Sequence, residues 1–267
     1  MDILKRSLAP IPAAAWSLID DEARQVLKGR LTGRRFVDFN GPLGLEFASL
    51  NTGRLLDVEA ERVDDRVSYK IRKSMPVVEL RFPFRLKIEE LEALVRGAQD
   101  AEIDPLLNAA KAMADAEDNA ILFGLKPVSI PGVIAASPHK ALPVTKEGEK
   151  VISALAKGVK KLRDAFVDGP YALVAGTDML ADIQAQHEGG YPILNKIKDM
   201  LGGDIIRSPF LGKEGVLVST RGGDYELFVG QDFSIGFERQ DGAEVELFMF
   251  ETFTFRVNTP EACIPLK

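Results

Sequence analysis

The stretch Glu244-Val245-Glu246-Leu247-Phe248-Met249-Phe250-Glu251-Thr252-Phe253-Thr254-Phe255-Arg256-Val257 carries the deciding pattern. Side chains of an extended strand alternate between two faces. The odd positions Val245, Leu247, Met249, Phe253, Phe255 and Val257 share one face. The even positions mix Glu244, Glu246, Thr252 and Thr254 with the large rings of Phe248 and Phe250. A strand that is apolar on both faces must be covered on both sides or meet another chain. Just upstream, the turn Arg221-Gly222-Gly223-Asp224 leads into a second strand, Tyr225 to Val229. The last quarter of the chain is therefore expected to be rich in β-structure.

Working back from there, the pattern becomes mixed. Val151, Ile152, Leu155, Val159, Leu162 and Phe166 form a helical stripe that ends at Asp168-Gly169-Pro170. Tyr171 to Ala175 reads as a short buried strand, with Thr177 or Asp178 as cap of the next helix. The loop His187-Glu188-Gly189-Gly190-Tyr191-Pro192 precedes a helix through Ile193, Ile197 and Met200, and Gly202-Gly203 closes it. Strands follow at Ile205-Ile206 and Val216 to Ser219. Ser129 to Leu142 is rich in Pro, Gly and small residues and reads as a connector.

Before the connector lies a long helix. Asp104 is the expected N-cap, Pro105 sits at the first helical position and Gly124 is the stop. Leu106, Ala110, Met113, Glu117 and Ile121 mark its buried stripe. Val77 to Ile88 reads as a strand whose pairing is limited by Pro83. Val67, Tyr69 and Ile71 alternate with Ser68, Lys70 and Arg72, and Arg54 to Glu59 is the expected facing strand, with a charged tip from Glu61 to Arg66. Such a hairpin is marginal alone and needs something to lie on, either its own domain or a neighbouring subunit. The first helix is expected from Ala13 to Leu31, on the spacing of Trp16, Ile19, Ala23, Val26, Leu27 and Leu31.

Composition narrows the function. The chain has 267 residues, 46% hydrophobic and 28% charged, which is an ordinary globular balance with ample length for a core. Forty acidic residues against 34 basic ones disfavour nucleic acid or an anionic membrane as partner. The single Cys263 forms no internal disulfide, and only His139 and His187 are present, which removes most histidine-based metal and catalytic sites. No apolar run reaches a bilayer span, and Pro10, Pro12 and the acidic Asp20-Asp21 argue against a signal peptide, so a cytoplasmic location is expected. No nucleophile elbow, phosphate-binding glycine loop or zinc motif is found. Asp224 and Asp232 read as turn and strand-end acids rather than a catalytic pair. Lys157, Lys160, Lys161 and Arg163 read as the solvated face of a helix, and Lys28, Arg30, Arg34 and Arg35 as a second basic cluster tempered by Asp38. These features favour a structural or binding role over an enzyme.

Several strings, in order along the whole chain, resemble the family 1 encapsulins, shell proteins with the HK97-like fold of tailed-phage capsids. They are Leu4-Lys5-Arg6-Ser7-Leu8-Ala9-Pro10 with Trp16, Gly33-Arg34-Arg35-Phe36-Val37-Asp38 with Gly41-Pro42, and Glu117-Asp118 with Ile121 and Phe123-Gly124. Gly169-Pro170-Tyr171 and Gly190-Tyr191-Pro192 follow. The most specific are Arg221-Gly222-Gly223-Asp224, Gly230-Gln231-Asp232-Phe233-Ser234-Ile235-Gly236 and Glu251-Thr252-Phe253-Thr254-Phe255.

The resemblance implies an α+β chain in five parts. Residues 1–47 are the N-terminal arm and helix, 48–76 the E-loop hairpin, 77–130 the P-domain with its spine helix, 131–220 the A-domain and 221–267 the returning P-domain strands. It implies self-assembly into a closed icosahedral compartment of about 60 copies. The enclosed cargo would be a ferritin-like iron oxidase or a dye-decolourising peroxidase, held by a short terminal peptide. The peptide site is expected at Leu27, Arg34, Asp38 and Ile235, with the two aliphatic residues holding apolar side chains and the two charged ones setting polarity and register. His187, Glu188, Gly189, Gly190 and Tyr191 would rim a five-fold pore, and Arg62, Asp65, Tyr69 and Ile71 of the E-loop would contact a neighbouring subunit. Some relatives bind flavin through a tryptophan where Glu89 stands here, so no cofactor is expected. The alternatives are a prophage capsid protein that packages DNA, and a protease or bacteriocin, for which no nucleophile–base arrangement exists in the sequence.

Overall fold

The computed structural model describes residues 3–59, 64, 66–144, 148–188 and 191–267. In the first half, the chain forms α1 (Ala13–Arg30), β1 (Asp38–Asn40), β2 (Ser49–Asp57), β3 (Lys70–Pro76), β4 (Val78–Lys87), α2 (Ile88–Val95) and α3 (Asp104–Phe123). A short connection contains β5 (Gly124–Leu125), β6 (Ile130–Pro131) and α4 (Val133–Ala136). Then come α5 (Gly148–Asp164), β7 (Tyr171–Gly176), α6 (Thr177–Gln184), β8 (His187–Glu188), β9 (Tyr191–Pro192), α7 (Ile193–Leu201), β10 (Ile205–Ser208) and β11 (Gly215–Ser219). The C-terminal strands are β12 (Tyr225–Val229), β13 (Ser234–Asp241), β14 (Glu244–Val257) and β15 (Cys263–Leu266).

Strand β14 is the centre of the larger sheet. Along one edge it pairs antiparallel with β4, from Glu244 opposite Lys87 to Phe253 opposite Val78. Along the other edge β12 and β13 follow one another, Val229 opposite Phe253 and Ser234 opposite Phe250. Strand β1 extends the sheet parallel to β12. Pro83 is opposite Phe248 within the ladder; β4 is an outer strand, where a proline is tolerated.

Both faces of β14 are covered by the chain itself. Val245, Leu247 and Met249 pack with Ile19 and Ala23 of α1 and with Leu106, Ala110 and Met113 of α3. On the opposite face the Phe248 and Phe250 rings meet edge-on at 6.5 Å, and the Arg81 guanidinium lies 3.6 Å from the Phe248 ring centre. Each such fully buried side chain stabilises the fold by about 1.5–3 kcal/mol. Further along, Phe253 and Phe255 join a second core that continues into the α5–β11 region. One strand therefore belongs to both cores.

Helix α3 lies beneath this sheet. Its small residues Ala109, Ala110 and Ala114 are fully buried and allow α1 to approach closely. The cap differs from the expectation. Ile103 occupies the cap position and Asp104 is the first helical residue, where its charge faces the positive end of the helix dipole. The stop is as expected: Gly124 sits at φ +82°, and a Cβ there would lie 2.6 Å from Gly132 N and Ile130 O. Likewise Gly176, not Thr177 or Asp178, precedes α6 as its cap.

The second unit is a four-stranded sheet in the order β10, β7, β11, β15, and every residue of β7 and β11 is buried. Helices α5 and α7 contribute Leu155, Leu162, Ile197 and Leu201 to its core. Between α6 and α7, β8 and β9 form a two-residue pair, His187 opposite Pro192 and Glu188 opposite Tyr191. The hairpin β2–β3 pairs from Ser49 opposite Pro76 to Asp57 opposite Lys70. Leu55, Leu56, Tyr69 and Ile71 on it are exposed.

Candidate functional site

A cavity of about 680 Å³ opens between α1 and the start of β13. Its position follows from a break in one sheet edge. Between β12 and β13 the chain leaves regular pairing at Gly230–Phe233, while Thr252 of β14 bridges the gap. Gly230 N–H donates to Thr252 O at 2.8 Å, Thr252 N–H to Gln231 O at 3.0 Å, and Gln231 N–H to Thr252 Oγ1 at 2.8 Å. A side chain at 230 would crowd this junction, because a Cβ would lie 2.5 Å from Thr252 Oγ1 and 3.1 Å from Gly44 O. The break turns Asp232 and Phe233 towards α1.

Ala23, Leu27, Leu31, Phe233, Ile235 and Met249 make the apolar lining. Leu4, Ser234, five cations (Arg6, Arg24, Lys28, Arg34 and Arg35) and two carboxylates (Asp20 and Asp232) complete the wall. Arg6 is committed to the fold: it makes two bonds of 2.7 Å to Asp20, donates to Ile235 O at 2.7 Å and lies over the Trp16 ring. With Phe237 N–H donating to Leu4 O at 2.8 Å, the N-terminal arm is pinned to β13. Arg24 pairs with Asp21. Lys28 and Arg35 have no side-chain partner among the described residues and are available to a ligand.

Arg34 is the most heavily bonded residue of the wall. Its Nε donates to both Glu117 oxygens at 3.0 Å, Nη2 to Glu117 and Glu251 at 2.6 Å each, and Nη1 to Asp232 at 2.9 Å. The guanidinium also lies within 5.0 Å of the Phe39 and Phe233 ring centres. Burial opposes its charge, but hydrogen bonding to Glu117 and the surrounding carboxylates more than compensate, and its pKa is raised. Glu117 and Glu251 are fully buried. Burial, and then the neighbouring Glu117, hold the Glu251 carboxyl well above the ordinary carboxylate range. Beside them Asp118 accepts from Thr32 N–H at 2.9 Å and Gly33 N–H at 2.8 Å, which clamps the short 3-10 turn carrying Arg34. Burial pushes the Asp118 carboxyl up to about 6, against those amide hydrogen bonds.

Three of the four expected peptide residues, Leu27, Arg34 and Ile235, line this one cavity. Asp38 does not line it; on β1, its Oδ2 accepts from Gly223 N–H at 2.6 Å. Sequence reasoning missed Lys28 and Arg35 as lining residues, and Glu117, Asp232 and Glu251 as partners of Arg34. The available signal was a carboxylate inside each of two apolar patterns, Glu117 on the helical stripe and Glu251 in the strand. Of the expected pore rim, Gly189 and Gly190 lie outside the described residues, and His187, Glu188 and Tyr191 belong to the β8–β9 pair. Of the expected hairpin contacts, Tyr69 and Ile71 are exposed, and Arg62 and Asp65 lie outside the described residues. Glu89 is in the first turn of α2. Among the described residues, no three His, Cys, Asp or Glu side chains are grouped to hold a metal ion, and no helix is long and apolar enough to cross a membrane.

Comparison with known proteins agrees with this architecture. A protein-family model described as "encapsulating protein for peroxidase" matches residues 1–254. The chain is 42% identical to the type 1 encapsulin shell protein of Rhodospirillum rubrum, covering all of this chain and 97% of that one. It is 40% identical to the type 1 encapsulin shell protein of Brevibacterium linens and 37% to that of Mycobacterium tuberculosis, each over the full length of both chains. Among solved structures, the virus-like particle from Pyrococcus furiosus superposes with a TM-score of 0.66 at 16% identity, covering 93% of this chain and 98% of that one. The capsid of Myoviridae phage XM1 superposes with a TM-score of 0.59 at 13% identity, covering 88% and 91%. The break in the sheet edge, the cavity beside α1 and the exposed hairpin thus sit on an HK97-like capsid fold, and the chain belongs to the type 1 encapsulin shell-protein family.

Proposed function

We propose that this chain is the subunit of a closed icosahedral compartment and that the cavity beside α1 docks a short terminal peptide of an enclosed enzyme. The observation that carries the docking is the cavity's chemistry: an apolar floor next to two unpaired cations. Aliphatic side chains of a peptide would enter against Leu27, Leu31, Ile235 and Met249, while Lys28 and Arg35 would take its carbonyl or carboxylate oxygens. Arg34 serves as wall rather than ligand, because each of its three nitrogens already donates to a buried or lining carboxylate. The exposed hairpin supports assembly: in an HK97-like shell it would be the E-loop, lying on a neighbouring subunit. The turn around His187 to Tyr191 would then edge the five-fold opening. The role is structural, and the chemistry belongs to the cargo. The family description supports a peroxidase as that cargo.

The test combines light scattering and negative-stain microscopy with co-expression of a peroxidase bearing its terminal peptide. Hollow particles near 1.75 MDa are expected, as about 60 chains of 29.2 kDa require. Leu27→Glu should give particles of the same size that are empty. A monomeric chain would overturn the assembly reading, and unchanged loading in Leu27→Glu would overturn the proposed dock.

A further inference from the structure

Helix α5 ends in a Schellman motif. Val167 N–H donates to Leu162 O at 2.9 Å, and Phe166 N–H to Arg163 O at 2.9 Å. Leu162 and Val167 are fully buried, as the apolar pair accompanying this motif requires. The left-handed residue of the motif is Phe166, at φ +59°. Glycine normally fills this position, because a Cβ crowds the backbone there, and a bulky aromatic is a rare occupant. Arg221 Nη1 donates to Phe166 O at 3.1 Å and holds the residue from a second side. Phe166 is 90% exposed, more than any other large hydrophobic residue among the described residues. The motif's hydrogen bonds and Arg221 hold the backbone in this conformation, but the isolated subunit keeps an aromatic side chain in water, and no described residue covers it.

We propose that Phe166 is a contact residue between copies of this chain, its ring covered by an apolar surface of the neighbouring subunit. This rests on the assembly reading above and adds an anchor to it. A second copy suits the surroundings of Phe166. Lys161 and Arg163 in the last turn of α5 have no carboxylate partner among the described residues, whereas Lys160 pairs with Asp164. A copy with 40 acidic and 34 basic residues brings surplus carboxylate to them. It also brings exposed apolar side chains, Leu56 and Ile71 on its hairpin among them. A cargo peptide is not the occupant, because the cavity is built on the core of α1, α3 and β13, whereas Val167 anchors Phe166 to the other core.

Two variants test this. In Phe166→Trp the new indole reports directly, since the one native tryptophan, Trp16, is only 8% exposed. Acrylamide quenching of assembled Phe166→Trp particles should be several-fold weaker than that of a free indole. Phe166→Gly removes the ring together with the strain. It should raise the concentration needed for half assembly about tenfold, the effect of losing one well-packed aromatic contact. Full quenching in intact Phe166→Trp particles, or a wild-type assembly threshold in Phe166→Gly, overturns the proposal while leaving the shell reading standing. A wild-type chain that forms no particles overturns both.

Discussion

Arg34 ties four parts of the chain together at one guanidinium, and its removal should be costly for that reason. Arg34→Ala would leave Glu117 and Glu251 buried beside each other without their counter-charge. Breaking a buried ion pair in this way costs about 3–5 kcal/mol. Calorimetry should show a large fall in Tm for Arg34→Ala. Glu251→Gln should cost little, because a carboxyl that keeps its proton is closely mimicked by an amide. Equal losses in the two variants would mean that Glu251 is ionised. Asp118 sets a pH dependence. Its folded-state pKa of about 6 lies above the ordinary 3.8. Below about pH 4 both states hold the proton and the full contribution is present. As pH rises towards 6 the unfolded chain gives up its proton first, so stability is lost, by roughly 3 kcal/mol for a shift of this size. Asp118→Asn removes that loss, so its Tm relative to wild type should climb between pH 4 and pH 7. Parallel curves would assign the titration elsewhere.

Among the elements, the hairpin β2–β3 leaves most of its residues exposed. Leu56 and Ile71 face each other across its ladder, and both are exposed. Ile71→Asp should therefore leave the subunit folded, with wild-type circular dichroism, while preventing closed particles in light scattering. Intact shells from this variant would show that the hairpin is no clamp. The elements themselves were largely readable. Strand β14 announced itself by apolar residues on both faces, and α3 by its stripe between Pro105 and Gly124. The glycine stops Gly124 and Gly202 were readable too, but the N-terminal caps were not. Asp104 was expected to cap α3 and is instead its first residue, since where a helix starts depends on what its first turn packs against. The Schellman end of α5 was also missed, because a phenylalanine stands where the usual glycine signal would be.

For the whole molecule, β14 serves two cores, with Met249 in one and Phe253 in the other. This explains why the chain reads as mixed pieces yet folds around one strand. Local periodicity determined the kinds of element, their order and the presence of the hairpin, because alternation and helical stripes are properties of neighbouring residues. Family strings spread along the chain determined the expected fold. The tertiary structure alone decided the site. Arg34 meets Glu117, Asp232 and Glu251, which lie 83, 198 and 217 positions further along the chain. Asp38, only four residues from Arg34, instead turns to Gly223. Pairing register and helix packing bring distant carboxylates to one guanidinium and direct a near neighbour elsewhere, and no local spacing encodes either result.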